Sequence, residues 1–496
     1  MIEQAPVLTV VIPLMFAFLT PLIGWGKKEL CYPWMLLGLA LSLVFSVITL
    51  LTVIGTGTVH YHLGGWLPPW GIEYTVDYLN AFVLVVVSFI SFTAAVYSKR
   101  SVQKELSEKT AYFYTLFLLQ ITGFLGIVIT GDLFNLYVFL EIASLAGYAL
   151  IAMGEEGAPM ASFKYVIMGT VGASFYLLGV GYLYMATGSL NIADLAGLLP
   201  ELYGSKVILV AFTFLIVGVI IKMALFPLHG WLPGAYAKAP SSVSVLLAPL
   251  MTKVAAYVMI RIVFTVFKPY FSIEMFPITS ILSWIAAAAV LYGAFMALAQ
   301  TDLKKMLVYI LLSEVGYLVL GIGLANRNGL TGTILHILND AFMMVALFMI
   351  VGAIVYRCGT REISQFGNLH RRMPFTMAAF VIVGLSVVGI PPTCGFFSKW
   401  YLILGAIDAR HWVFAGVLIL SSLLNAILFF RVIEYAYIEP RDGHEEAGES
   451  MVVPREEAPL SMLVPILGVA AGVVLLGLLS GGIISTVIRF AIPTCF

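Results

Sequence analysis

The chain has 496 residues, of which 61% are hydrophobic and only 10% charged. That excludes a set of soluble domains, whose composition runs to roughly 25% charged residues. Lys and Arg number 26, as do Asp and Glu, and a net charge of zero argues against nucleic acid as a partner.

A bilayer crossing needs about 20 mostly apolar residues. Hydropathy, polar gaps and Gly/Pro breaks divide the chain into fourteen predicted spans, near 7–24, 34–55, 78–97, 112–130, 133–153, 161–186, 206–237, 241–265, 276–299, 305–325, 329–356, 374–406, 412–437 and 460–488. The expected class is all-α, a polytopic protein of a cell (inner or plasma) membrane. The opening "MIEQAPVLTV" has no basic residue ahead of its apolar run, so the first span is expected to be retained. Loops after odd-numbered spans hold sixteen of the basic residues, and loops after even-numbered spans hold Lys206, Lys268, Arg327 and Arg410. The odd loops are therefore expected in the cytoplasm and both termini outside.

In chain order, the first polar feature is "HYH", with His60 and His62 in a loop and the bland expectation of an exposed pair without metal. The fifth span carries Glu141 at its middle. "NIADLAGLLPELYG", 191–204, reads as a short helix lying on the membrane surface. The seventh span holds Lys222, then Pro227 and His229. Proline removes its own backbone donor and frees the carbonyl four residues back, so Pro227 is expected to leave Met223 C=O unpaired and to break the helix just after Lys222. A cation suits the negative end of the half-helix so formed. His229 reads equally as a relay and as a packing hydrogen bonder.

Lys253 follows in the eighth span, roughly 18 Å along a core about 30 Å thick. Glu314 in the tenth and Asp340 in the eleventh lie about 14 and 16 Å from their nearest ends. The twelfth span repeats the broken-helix device: Gly389, Pro391, Pro392 and Gly395 interrupt it before Lys399. Arg261, Arg431 and Arg489 lie close enough to helix ends to snorkel. The stretch 438–458 reads as an exposed acidic connector.

Six central charges, Glu141, Lys222, Lys253, Glu314, Asp340 and Lys399, would cost on the order of 15 to 20 kcal/mol if unpaired. Two readings follow. They are buried ion pairs that fix helix packing, although such pairs rarely add net stability, or they form a pathway for charge. Two interrupted helices five spans apart, starting from opposite sides, fit two inverted repeats, spans four to eight and nine to thirteen. The expected segments are 1–111, 112–268, 269–437 and 438–496. Glu141 is expected opposite Lys222, and Glu314 or Asp340 opposite Lys399, with Lys253 linking the halves.

Cys31, Cys358, Cys394 and Cys495 give no CxxC or ligand spacing, and no GxGxxG, P-loop or nucleophile triad occurs. No cofactor or metal is expected, and no catalysis by this chain alone; redox metal chemistry would belong to other chains.

The stretches "YHLGGWLPPWGIEYTVDYLNAF", "TGDLFNLYVFLEIASL", "KMALFPLHGWLPGAYAKAPSSVSVLLAPLMTKVAAYVMIR", "AQTDLKKMLVYILLSEVGYLVLGIG" and "GIPPTCGFFSKWYLI" together resemble the antiporter-like subunits of Mrp cation/proton antiporters, respiratory complex I and membrane-bound hydrogenases. Within that group the chain is most similar to the D-type component of Mrp and its hydrogenase counterparts, over about residues 60 to 435. The resemblance implies fourteen helices, a central hydrophilic axis, and proton translocation beside other membrane subunits of one complex. By motif match, Glu141 takes the place of the fifth-helix glutamate, Lys222 and Lys399 those of the broken-helix lysines, and Lys253 that of the bridging lysine. "HILNDAFMMVALF" departs from the pattern: His336 is kept, but Asp340 stands where the family has a histidine and Met344 where it has a lysine. Glu314 stands where a neutral Gln or His is common. Sodium in exchange for protons is the alternative these acids raise, and a non-conducting scaffold that docks a redox or hydrogenase module is the alternative to transport. A quinone-reactive subunit is a third, for which no cofactor ligands are visible.

Overall fold

The computed structural model describes residues 3–154, 156–438, 455–493 and 496, and is helical almost throughout. Helices α1 (Ala5–Gly26) and α2 (Cys31–Thr56) pack on each other and are followed by a two-stranded antiparallel hairpin, β1 (Val59–His62) and β2 (Glu73–Val76). Next come α3 (Tyr78–Glu105), α4 (Thr110–Ile129), α5 (Leu133–Ala152), α6 (Ala158–Thr187) and a short α7 (Ile192–Leu202). The seventh predicted span is α8 (Lys206–Met223) plus α9 (Leu232–Lys238), and the eighth is α10 (Ser241–Ile260), continued by a wider π-helical turn over Arg261–Val266. Helices α11 (Ile278–Leu298), α12 (Leu303–Leu324), α13 (Arg327–Cys358) and the single turn α14 (Leu369–Arg372) precede the second broken pair, α15 (Pro374–Val388) and α16 (Cys394–Asp408). Helices α17 (Trp412–Tyr437) and α18 (Leu460–Ile483) complete the described bundle.

Among the described residues, thirteen helical stretches are long and apolar enough to cross a membrane. The remaining predicted span, the twelfth, is the α15/α16 pair. Each half has 15 residues, about 22 Å at 1.5 Å per residue, which is short of a bilayer core.

The layering follows from how apolar each helix is around its circumference. Helices α10 and α13 are buried throughout their most apolar windows and α12 almost so, whereas α1, α2 and α6 are mostly exposed on one side. A helix hydrophobic all round is stable only when neighbours enclose it, and α13 is enclosed by α3, α10, α12, α15, α16 and α18. The three enclosed helices carry Lys253, Glu314, His336 and Asp340.

Three expectations are corrected, and the helix breaks are located. "HYH" is a strand: His60 pairs in register with Thr75 and His62 with Glu73, and both imidazole Nδ1 atoms lie 3.5 Å from the buried Glu73 carboxylate. The first break falls just after Lys222, and both breaks precede the prolines. α8 ends where Ala224 turns left-handed (φ 57°) and α15 where Gly389 does (φ 94°), each placing a reversed cap on the half-helix; Pro227, Pro391 and Pro392 sit in the connecting turns. Arg261 and Arg431 do not snorkel. Arg261 is paired at the end of α10, as described below, and Arg431 donates to Leu298 O and Gln300 O, both at 2.7 Å, capping the carbonyl end of α11. Arg489 is exposed. Finally, the end of the expected acidic connector is anchored: Arg372 pairs with Glu456, and Glu457 accepts from Phe375 N and Thr376 N at the start of α15. Residues 439–454 of that connector, and Cys495, lie outside the described residues.

Candidate functional site

Lys222 stands in the last turn of α8, where the helix dipole favours a cation. Its Nζ donates to Ser144 Oγ at 2.7 Å and lies 3.4 Å from Glu141 Oε1. Glu141 and Ser144 are one turn apart on α5, so both reach the same face. The lysine side chain is 4% exposed and the glutamate 27%. Beside them is a cavity of about 30 Å³, room for one water, to which Lys222 and Ser144 contribute polar atoms and Phe124, Leu140, Val219, Met251 and Val254 apolar walls. The break leaves other carbonyls to be met: Trp231 Nε1 donates to Ile221 O at 3.1 Å. His229 lies on the far side of the break, its ring 4.8 Å from Tyr292 of α11 and 5.5 Å from Phe226, and its buried Nδ1 makes no hydrogen bond.

Lys253 faces away from that cavity, toward α13. Its Nζ forms an ion pair with Asp340, and also donates to Ala248 O at 3.3 Å. One turn back along α13, His336 Nε2 lies 2.9 Å from Glu314 Oε2 of α12, and its Nδ1 lies 3.0 Å from Ser398 Oγ of α16. A neutral imidazole donates from one nitrogen only and its cation from both, so the cation would donate to Glu314 and Ser398 together. Lys399 donates from Nζ to Val387 O at 2.5 Å, across the second break, and sits 4.7 Å above the Tyr317 ring. That ring in turn meets His336 edge-on at 5.6 Å. All of these charged groups are buried.

The structure therefore brings Glu141 to Lys222, pairs Lys253 with Asp340 and His336 with Glu314, and sets Lys399 over the Tyr317 ring that meets His336. It differs from the sequence expectation in the second half. Neither Glu314 nor Asp340 pairs directly with Lys399: Asp340 is held by Lys253 and Glu314 by His336, and Lys399 finds a backbone carbonyl and an aromatic face.

A family profile described as NADH:quinone oxidoreductase/Mrp antiporter, TM, matches residues 130–425, more than half of the chain. The chain belongs to this antiporter family. NADH-quinone oxidoreductase subunit N of Desulforudis audaxviator is 46% identical over 499 residues, with 99% of each chain covered. The D-type subunit of the Na(+)/H(+) antiporter of Bacillus subtilis is 32% identical over 399 residues, with 80% of each covered. The higher of these identities falls on the N-type relative and not on the D-type one. A chain of the membrane-bound sulfane sulfur reductase, an archaeal respiratory membrane complex, superposes with a TM-score of 0.89 at 29% identity over 98% of this chain and 96% of that one. Membership in the family makes this a multi-pass, antiporter-like membrane subunit.

Several polar residues around these charges escaped the sequence reading. Ser144, Tyr317 and Ser398 stand three residues after Glu141, three after Glu314 and one before Lys399, so helical spacing could have flagged the first two. No spacing could have flagged Asp77. It caps α3 through Leu79 N and Asn80 N and receives both Arg261 guanidinium nitrogens, at 2.7 and 2.6 Å, while Arg261 Nε donates to Tyr257 OH at 3.0 Å. Burial alone would raise the Asp77 carboxyl, but the Arg261 charge and hydrogen bonds, with the two amides, hold it below the usual carboxylate range. A depressed carboxylate contributes stability that is present above its unfolded value, about 4, and lost as the pH falls through the folded one. Asp77→Asn is thus expected to lower unfolding stability by about 2 kcal/mol at pH 7 and to shrink the loss seen on acidifying the wild type below about pH 4. Thermal unfolding of the purified complex across pH checks this, and equal acid sensitivity of both proteins would refute it.

Proposed function

We propose that this chain moves protons across the membrane core as one subunit of a multisubunit complex, using Glu141 and Lys222 in one half and Lys253, Asp340, His336, Glu314 and Lys399 in the other. The observation that carries the reading is the set of five buried ionisable side chains on α10, α12, α13 and α16, with Asp340 and His336, the members of two separate pairs, one turn apart on α13. A set of packing ion pairs would need no lysine without a carboxylate partner; here Lys399 has a carbonyl and a ring for partners. The two breaks, α8/α9 and α15/α16, each with a lysine at hand, support spans four to eight and nine to thirteen as inverted halves.

A neighbouring subunit is part of the reading. Glu141 is 27% exposed on a face of α5 that also exposes Phe134, Val138 and Leu145. At mid-bilayer an uncovered carboxylate costs about 2.5 to 3.5 kcal/mol, and another chain with polar groups at that level would remove the cost. The relatives' names, an NADH-quinone oxidoreductase subunit and an Na(+)/H(+) antiporter subunit, point to the same kind of assembly. Exchange for sodium is kept as a second reading because Glu314 and Asp340 place two buried carboxylates within the second half.

The test is Lys222→Ala in the whole complex, in vesicles loaded with a pH-sensitive dye. Proton movement is expected to fall at least about tenfold, with subunit composition unchanged. Lost assembly with residual transport intact would instead support a scaffold. Wild-type rates without added sodium, in both the native chain and Asp340→Asn, would remove the sodium reading.

A further inference from the structure

Helix α18 carries no charged residue, and the pathway above makes no use of it. Its contacts nevertheless converge on the second broken helix. At Gly477 a methyl group would stand 2.0 Å from Pro392 O, 2.8 Å from Thr393 C and 2.9 Å from Cys394 N, so the α18 backbone lies directly against the turn between α15 and α16. From the opposite side Asn339 Nδ2, next to Asp340 on α13, donates to Cys394 O at 2.7 Å. Gly395 N donates to Ser386 Oγ at 3.1 Å, tying one half-helix to the other.

The residues leading into α18 hold the far end of α15. Glu457 Oε1 accepts from Phe375 N at 2.6 Å and Thr376 N at 3.2 Å, and its Oε2 accepts from Thr376 Oγ1 at 2.8 Å. Glu456 pairs with Arg372, and Glu456 N donates to Arg372 O at 2.8 Å. One continuous segment, 456–477, therefore holds the start of α15 and, beyond its far end, the turn that leads into α16. The last turn of α15 supplies Val387 O, the acceptor for Lys399.

We propose that Glu457 and Gly477 are positioning residues: segment 456–477 sets where the Val387 carbonyl lies, and through it the environment of the Lys399 ammonium. This rests on the proposed function only in so far as Lys399 exchanges protons. The Val387 carbonyl is the acceptor that the Lys399 ammonium donates to, so displacing it should move the pH profile of transport.

The experiment uses the intact complex in membrane vesicles, with two readouts. One is alkylation of the buried Cys394 by N-ethylmaleimide, followed by peptide mass spectrometry; the other is the pH of half-maximal proton transport. Gly477→Ala is expected to label about tenfold faster as the turn loosens and to shift the half-maximal pH by about one unit. Gly468→Ala, on the same helix but with nothing within 4 Å of the added methyl, is expected to match wild type in both. A Gly477→Ala profile that coincides with that of Gly468→Ala overturns the proposal, whatever the labelling does. Should Gly477→Ala fail to assemble, Glu457→Gln acts at the other end of α15, and an unshifted profile there overturns it equally. Lys399→Ala separates the two layers: if transport survives it, the pathway reading falls, while unchanged Cys394 labelling in Gly477→Ala or Glu457→Gln would still refute the grip itself.

Discussion

Lys253→Ala is expected to lower the stability of the complex by about 3 to 5 kcal/mol, because it leaves Asp340 as a buried carboxylate without its ion-pair partner. The double variant Lys253→Met with Asp340→Asn separates structure from transport. Removing both charges together leaves no uncompensated ion, and replacing a buried pair by neutral groups of similar size is often close to neutral for folding. Stability is therefore expected to return in the double variant while proton movement stays at background. Thermal unfolding and dye-based transport on the same vesicles check the two halves of the statement. A double variant that transports like wild type would mean the pair is a packing device.

The second large effect concerns His336, which bridges α12 and α16 through Glu314 and Ser398. His336→Gln keeps a side-chain donor for Glu314 but has no proton to pass near neutral pH. Loss of a positioned acid–base group costs a proton-transfer step about a hundredfold or more, so transport should fall by that order with assembly and unfolding temperature nearly unchanged. His336→Ala should add a stability loss of about 1 to 3 kcal/mol, since the Glu314 carboxylate loses its partner. Transport by His336→Gln at the wild-type rate would exclude the imidazole from the route.

The charges were legible in the sequence because lipid makes each of them costly, and Glu141, Lys222, Lys253, Glu314, Asp340 and Lys399 all lie far from span ends. The partners within the second half were not. Lys253 and Asp340 meet only because α10 packs on α13, and no helical spacing carries that information. Arg261 shows the same limit from the other direction: its distance from a helix end suggested snorkelling, but Asp77 comes from a different part of the chain and claims the guanidinium. The breaks were readable from proline, whereas their position was set by the left-handed Ala224 and Gly389, and for Ala224 the residue type gives no warning. The hairpin escaped notice because four-residue strands among turn-forming residues carry too little alternation to stand out.

The 27% exposure of Glu141 bears on the life of the chain before it finds its neighbours. A newly inserted copy, alone among acyl chains, displays an acid that only a companion can shield, so solitary copies carry a visible mark of being unfinished. Surveillance proteases of the membrane could read that mark, and Glu141→Gln should lengthen the half-life of the chain when it is made without the rest of its complex.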